Sequence, residues 1–246
     1  GDTLEYIVRR GEQRETVPIT LGYFPFAAWF TEYWVNVLAA LIIFGIGVYV
    51  FARRPTERAA QLLFLTTTGL FTLVVAQWLS LSIQEFVQGA PYLIPRIYIF
   101  FIYHVMWSTL LSFILIFPKP QPWLTRARWV IPLVYFIPFA IFLVYLGATF
   151  FTETNRILWH GDWVTASDRI ALGYGIACVA ALMAGYFYAR RNSITRLQAR
   201  WAISGFVLSL VLVVALNMLP KNILGVPIVA RRALGVLLLP IPLGLG

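Results

Sequence analysis

Long apolar runs dominate the chain, and short polar segments separate them. Each run approaches the roughly 20 residues that an α-helix needs to cross the hydrocarbon core of a bilayer. The pattern predicts an all-α membrane protein, a bundle of about seven transmembrane helices within residues 34–246. The predicted spans cover residues 34–51, 59–83, 93–117, 129–151, 170–188, 201–219 and 229–245.

The first 22 residues follow a different pattern. Apolar and polar residues alternate within residues 3–8 and, more loosely, within residues 15–21, with a polar turn between them. A period of two is typical of strands, so residues 1–22 are expected to form a β-hairpin. Because two strands alone are marginally stable, we expect further strands upstream. Residues 23–33 are rich in aromatic side chains, which predicts an interfacial segment at headgroup level.

Composition supports the membrane interpretation. Of 246 residues, 60% are hydrophobic and 12% are charged, whereas a soluble domain is nearer one half and one quarter. The net charge of +9 is spread over short loops and forms no single stripe, so we expect a lipid bilayer as partner and no nucleic acid. A single cysteine, Cys178, excludes a disulfide within the chain. No metal-ligand spacing occurs, so neither metal nor cofactor is predicted.

Basic residues in alternate loops set the predicted orientation. One set has ten members: Arg53, Arg54, Arg58, Lys119, Arg126, Arg128, Arg190, Arg191, Arg196 and Arg200. The other set has six: Arg96, Arg156, Arg169, Lys221, Arg231 and Arg232. Cytoplasmic loops carry the excess of lysine and arginine. The N-terminus is therefore expected outside and the C-terminus in the cytoplasm.

Three strongly polar residues lie inside the predicted spans, namely Gln77, His104 and Asn217. Polar groups at membrane depth are costly, so each is a functional candidate. Hydrogen bonding between helices is the favoured interpretation. For His104, ligation of a metal or haem and proton sensing stay open as alternatives. No acidic residue or lysine lies near the middle of a predicted span, which argues against an ion-coupled transporter.

The predicted outer loop at residues 152–168 carries Trp159 and Trp163, four residues apart on one helical face. The loop is interpreted as an amphipathic stretch on the bilayer or as a lid over an outward-facing pocket. Ser167 and Asp168 are expected to cap the fifth span. Residues predicted to contact a ligand are Gln84, Glu85, Arg96, Trp159, His160 and Trp163. No catalytic constellation occurs, so no catalytic residues are predicted.

Four local strings resemble parts of one protein family. Residues 1–11 and 15–22 resemble the closing hairpin of a PDZ domain. Residues 195–205, Thr-Arg-Leu-Gln-Ala-Arg-Trp-Ala-Ile-Ser-Gly, resemble the opening of a late membrane helix in bacterial sensor histidine kinases. Residues 237–246 resemble their final membrane helix, and residues 117–120 resemble the exit from an earlier one. The chain thus resembles the polytopic membrane region of a PDZ-containing sensor histidine kinase, with the plan of the competence and quorum-sensing kinases.

The resemblance implies a signal-sensing region in a bacterial inner membrane. It would relay an extracellular or membrane-borne signal, hydrophobic or peptidic, to a cytoplasmic kinase. The kinase signatures are absent from this sequence, so the chain is expected to be part of a longer protein that forms a homodimer through its cytoplasmic part. The alternative is a non-catalytic accessory or scaffold subunit of a larger membrane complex. Whether the parent protein is an enzyme stays open at this point.

Overall fold

A computed structural model of the chain describes residues 3–10, 13–20, 26–76, 90–117, 122–151, 156–189, 196–229 and 234–238. Most of these residues are helical. The chain divides into two units, residues 1–34 and residues 35–246.

The first unit contains an antiparallel hairpin of β1 (Thr3–Arg10) and β2 (Gln13–Thr20). Thr3 pairs with Thr20, and Arg10 pairs with Gln13. The pair lies in the segment whose alternation predicted strands. Its assignment to a PDZ domain stays a prediction.

Helices make up most of the remaining described residues. In chain order they are α1 (Phe26–Arg53), α2 (Arg58–Ala76), α3 (Ala90–Ile116), α4 (Pro122–Arg126), α5 (Val130–Phe151), α6 (Arg156–Ala189), α7 (Arg196–Val213), a π-helical turn (Val214–Met218), α8 (Leu219–Leu224) and α9 (Leu234–Leu238). Residues 26–33, predicted as an interfacial segment, form the first two turns of α1.

Five helical segments in the described residues are long and apolar enough to cross a membrane. They are Phe30–Arg53, Arg58–Ala76, Ile97–Ile116, Ala166–Gly185 and Val207–Leu224. They correspond to the predicted spans 1, 2, 3, 5 and 6. A shorter apolar stretch, Val130–Val144, lies in the predicted span 4. Most of the predicted span 7 lies outside the described residues, although α9 falls within it. Seven crossings therefore stay a prediction.

Two expectations about the fifth span are wrong. Helix α6 is 34 residues long and begins at Arg156, so most of the predicted loop at 152–168 is continuous with the span. Ser167 and Asp168 lie well inside this helix and cannot cap its start. The reason is that helix propagation adds one hydrogen bond per residue without a new nucleation cost. No proline interrupts this stretch, and Gly161 alone does not stop it.

Neighbouring helices of the second unit pack in alternating directions. Thr66 of α2 meets Thr109 of α3, while Gly69 faces Met106, so these two helices are antiparallel. Ser108 meets Val134, and Phe101 meets Phe139, which makes α3 and α5 antiparallel as well. The contacts of Gly47 with Thr67 and of Phe51 with Phe64 show that α1 and α2 are antiparallel too.

These directions define two ends of the second unit. One end carries Arg53 and Arg54 at and just after the end of α1, Arg58 at the start of α2, and Arg126 and Arg128 at and just after the end of α4, and we call it the arginine end. The opposite end carries Asn36, Asp168, Lys221 and Gly235, and we call it the Asn36 end. The core between them contains buried Leu63, Met106, Trp107, Cys178 and Leu210.

Candidate functional site

A helix defect lies near the C-terminal end of the sixth predicted span. Pro220 has no amide hydrogen, so it cannot donate to the Leu216 carbonyl four residues earlier. The π-helical turn precedes it, and the Leu219 N–H donates to the Val214 carbonyl, five residues back. The Leu216 carbonyl instead accepts from the backbone N–H groups of Ile228 at 3.0 Å and Val229 at 3.2 Å. The freed acceptor thus binds the chain as it returns after α8.

The return itself depends on Gly225. This residue ends α8 with φ at 77°, in the left-handed region that glycine adopts without steric cost. Asn217, inside the π-helical turn, adds a further contact: its Nδ2 lies 3.4 Å from the Val229 carbonyl. The sequence predicted that Asn217 would bond between helices. Its observed partner is the returning segment. Since π-bulges are frequent at functional sites, this defect marks a candidate site.

An ion pair lies next to this defect. Lys221 Nζ contacts Asp168 Oδ2, and the two side chains are only 28% and 24% exposed. Both residues lie inside candidate spans, Val207–Leu224 and Ala166–Gly185. Desolvating two charges is costly unless they pair. The pair therefore fastens the start of one span to the end of the next.

Asn36 supplies a third polar contact at the same end. Its Oδ1 accepts a 2.7 Å hydrogen bond from the backbone N–H of Gly235, in the first turn of α9. The Asn36 side chain is buried. The first N–H groups of a helix lack partners within the helix. The α1 side chain therefore satisfies a donor that α9 cannot satisfy itself.

A second proline defect lies deeper in the bundle. Pro138, inside α5, leaves the carbonyl of Val134 without its helical donor. The Ser108 hydroxyl of α3 donates to this carbonyl at 3.1 Å. The Tyr174 hydroxyl of α6 donates to it as well. One freed acceptor thus joins three helices, which is how membrane helices tolerate proline.

His104 lies one turn before Ser108 on α3. Its Nδ1 donates to the Phe100 carbonyl at 2.7 Å, within its own helix. The ring lines a pocket of about 30 Å³ together with Phe101, Val105, Ser108, Tyr135, Pro138, Phe139 and Phe142. That space suits about one water molecule. No group of three or more histidine, cysteine, aspartate or glutamate side chains within the described ranges could hold a metal ion.

The predicted ligand residues fall into two groups. Gln84 and Glu85, like Gln77 of the predicted span 2, lie in residues 77–89, outside the described part of the chain. Arg96 lies early in α3, and Trp159, His160 and Trp163 lie in the first turns of α6. The backbone therefore places these four positions toward the Asn36 end.

Sequence reasoning missed Asn36, Asp168, Lys221 and Gly235 as interacting residues. One signal was present: opposite charges begin span 5 and follow span 6, which sets them at the same membrane face. The contact between Asn36 and Gly235 had no comparable signal, because glycine offers only its backbone.

The five apolar segments define a multi-pass membrane protein. No family model matches the chain, and no curated protein and no solved structure has significant similarity to it.

Proposed function

We propose that the chain is the membrane-embedded signal-sensing region of a two-component sensor histidine kinase. It would receive an extracellular or membrane-borne signal at the Asn36 end and relay it to a cytoplasmic kinase that follows the last span. The Asn36 end would face outward, and the arginine end would face the cytoplasm of a bacterial inner membrane. This orientation rests on the excess of basic residues at the arginine end.

The contact between Asn36 and Gly235 carries the proposal. Helix α9 overlaps, at Leu237 and Leu238, the string that resembles the final membrane helix of these kinases, and that helix leads toward the catalytic domains. Its first turn is held by a buried side chain of the first span. A displacement of the first span at its outer end would therefore act directly on the output helix.

The neighbouring contacts also support a two-state switch at this end. The returning segment before α9 is fixed by backbone bonds to Leu216 and by Asn217. The ion pair of Asp168 and Lys221 fastens α6 to α8 beside it. A signal changes the equilibrium between two arrangements only if it binds one of them more tightly. A signal bound at the Asn36 end would compete with these internal polar contacts for the same side chains.

The hairpin adds a second line of support. Ile7 is 71% exposed and Val17 is 37% exposed. An isolated hairpin with exposed apolar side chains is marginal in water. A PDZ domain, completed by strands upstream, would cover such side chains.

The test has two stages. First, the full reading frame is determined: a dimerisation helix with a phospho-acceptor histidine and an ATP-binding domain after residue 246 supports the proposal, and a stop codon there contradicts it. Second, the full-length protein in membrane vesicles is assayed for autophosphorylation from ATP while Arg96, Trp159 and Trp163 are replaced by alanine. Unchanged output in every variant contradicts a receptor site at this end. Stoichiometric co-purification with other membrane proteins would favour the accessory-subunit alternative.

A further inference from the structure

The arginine end carries a concentrated positive charge. The side chains of Arg53, Arg54, Arg58, Arg126 and Arg128 are all exposed. Among the described residues, Glu57 is the one acidic side chain at this end, and it pairs with Arg54 at 2.8 Å. Four guanidinium groups there have no acidic partner among the described ion pairs.

Exposed aromatic side chains lie within a few residues of these arginines in the sequence. Trp123 is the second residue of α4 and is 44% exposed, and Trp129 precedes α5 and is 64% exposed. Tyr49 is 62% exposed, with the Arg53 guanidinium 5.5 Å from its ring centre. Tryptophan and tyrosine concentrate at the headgroup level of a bilayer. Arg126 and Arg128, which lie between the two tryptophans in sequence, are therefore expected at the depth of the lipid phosphates.

The short helix α4 explains how this surface is held in place. Leu124 is buried in the core cluster while Trp123 and Arg126 are exposed on the same helix. The helix is thus anchored to the bundle on one side and open on the other. Arginine binds phosphate oxygens in a bidentate manner and is weakly hydrated compared with lysine.

We infer that the arginine end is a binding surface for the headgroups of anionic phospholipids. The surface comprises Arg53, Arg58, Arg126 and Arg128 with the flanking Trp123 and Trp129. Charge complementarity selects the lipid: a zwitterionic headgroup offers a phosphate with a compensating cation, whereas an anionic headgroup offers net negative charge. Arg54 is outside the surface because Glu57 already neutralises it.

The test measures lipid selectivity of the full chain in vesicles. Spin-labelled phosphatidylglycerol and spin-labelled phosphatidylcholine report the fraction of each lipid immobilised at the protein, and the ratio of their association constants is the readout. The unaltered chain is expected to prefer phosphatidylglycerol. Since one basic side chain near an anionic surface strengthens binding by roughly fivefold, the variant Arg126→Gln/Arg128→Gln is expected to lower the ratio by about fivefold or more.

Two matched variants distinguish an effect of this surface on lipid selectivity from an effect of the net charge of the chain. Arg169→Gln removes an exposed arginine from the side of α6 near the Asn36 end and is expected to leave the ratio unchanged. Arg54→Gln/Glu57→Gln removes the ion pair without changing net charge and is also expected to leave it unchanged. Arg58→Gln repeats the measurement if the double variant does not insert.

Several results would overturn the inference. One is an unaltered chain with no preference for phosphatidylglycerol. Another is an equal fall in the ratio for Arg169→Gln. A third is a preference that does not weaken at all between low salt and 1 M salt, where screening reduces the Debye length to about 3 Å.

Discussion

Asn36 and Gly235 are 199 residues apart in sequence, and the Asn36 Oδ1 lies 2.7 Å from the Gly235 nitrogen. The two backbones are also close. A Cβ added to Gly235 would stand 2.9 Å from the Asn36 Cα and 2.9 Å from the Val35 carbonyl oxygen. Both neighbours are backbone atoms and cannot move aside as a side-chain tip can. The contact therefore requires both the asparagine amide and the absence of a side chain at 235.

Gly235→Ala is expected to destabilise the second unit. The methyl group collides with backbone, and overpacking of this kind costs about 1–3 kcal/mol. The free energy of unfolding in mixed micelles of detergent and SDS provides the measurement. Gly173→Ala is the control, because a Cβ at Gly173 meets nothing within 4 Å. It is expected to be neutral or to stabilise α6 by about 0.5–1 kcal/mol, since alanine favours a helix interior over glycine. Equal effects of both substitutions would contradict the close approach.

Asn36→Leu is expected to cost about 1–3 kcal/mol of stability, because it leaves the Gly235 N–H buried without its acceptor. The change conserves volume, so packing contributes little. Hydrogen–deuterium exchange at the Gly235 amide is the direct readout, with faster exchange expected in the variant. The control Asn222→Leu removes an amide that donates to the carbonyl of Met218, the last residue of the preceding π-helical turn. Unaltered exchange at Gly235 in Asn36→Leu would contradict the assigned acceptor.

The Val134 carbonyl is expected to show strong non-additivity between Ser108→Ala and Tyr174→Phe. Either hydroxyl alone still satisfies the acceptor, so each single variant should cost below about 1 kcal/mol, while losing both leaves a carbonyl in apolar surroundings and costs about 1–3 kcal/mol more. Unfolding free energies of the two single variants and the double variant give the interaction energy.

Pro138→Ala provides the control for that cycle. Alanine restores an N–H that can donate to the Val134 carbonyl within α5. In this background the non-additivity between Ser108→Ala and Tyr174→Phe should largely disappear. An undiminished interaction energy would show that the two hydroxyls are coupled by something other than the proline-freed carbonyl.

The ion pair of Asp168 and Lys221 should also show coupling. Asp168→Asn or Lys221→Met leaves one charge inside a candidate span, and each is expected to cost about 1–3 kcal/mol, less than a fully buried pair because both side chains are about one quarter exposed. The double variant Asp168→Asn/Lys221→Met should be closer in stability to the unaltered chain than either single variant. Simple additivity of the two costs would contradict a direct pair.

Hydropathy predicted the helices well, because a membrane crossing requires a long apolar run and few other features of a sequence produce a run of that length. Hydropathy located the five long apolar helical segments of the described residues, and the alternation of polar and apolar residues located the hairpin. It misjudged residues 156–168. Polar composition there indicated a loop, yet a polar segment next to a span can continue as helix when no proline stops it.

The partners of the two proline-freed carbonyls were beyond sequence reasoning for a different reason. Pro138 indicates that one carbonyl of its helix is freed, but not which groups bind that carbonyl. The donors that bind the freed carbonyl come from Ser108 and Tyr174, which are distant in sequence. Pro220 likewise gave no indication that Ile228 and Val229 would bind the Leu216 carbonyl. Such partners depend on which helices become neighbours, and periodicity within one helix does not contain that information.

The proposed role of the Asn36 end is tested most directly by kinase output. The full-length protein in inverted membrane vesicles is supplied with labelled ATP, and the initial rate of autophosphorylation is compared between the unaltered protein, Asn36→Leu and Lys221→Met, with Gly173→Ala as control. A contact that biases two states by 1 kcal/mol or more changes their ratio by about fivefold. The rate is expected to change by about that factor in Asn36→Leu and Lys221→Met, at equal membrane abundance, and to stay unchanged in Gly173→Ala. Rates equal to that of the unaltered protein in all three variants would contradict the proposed role of the Asn36 end.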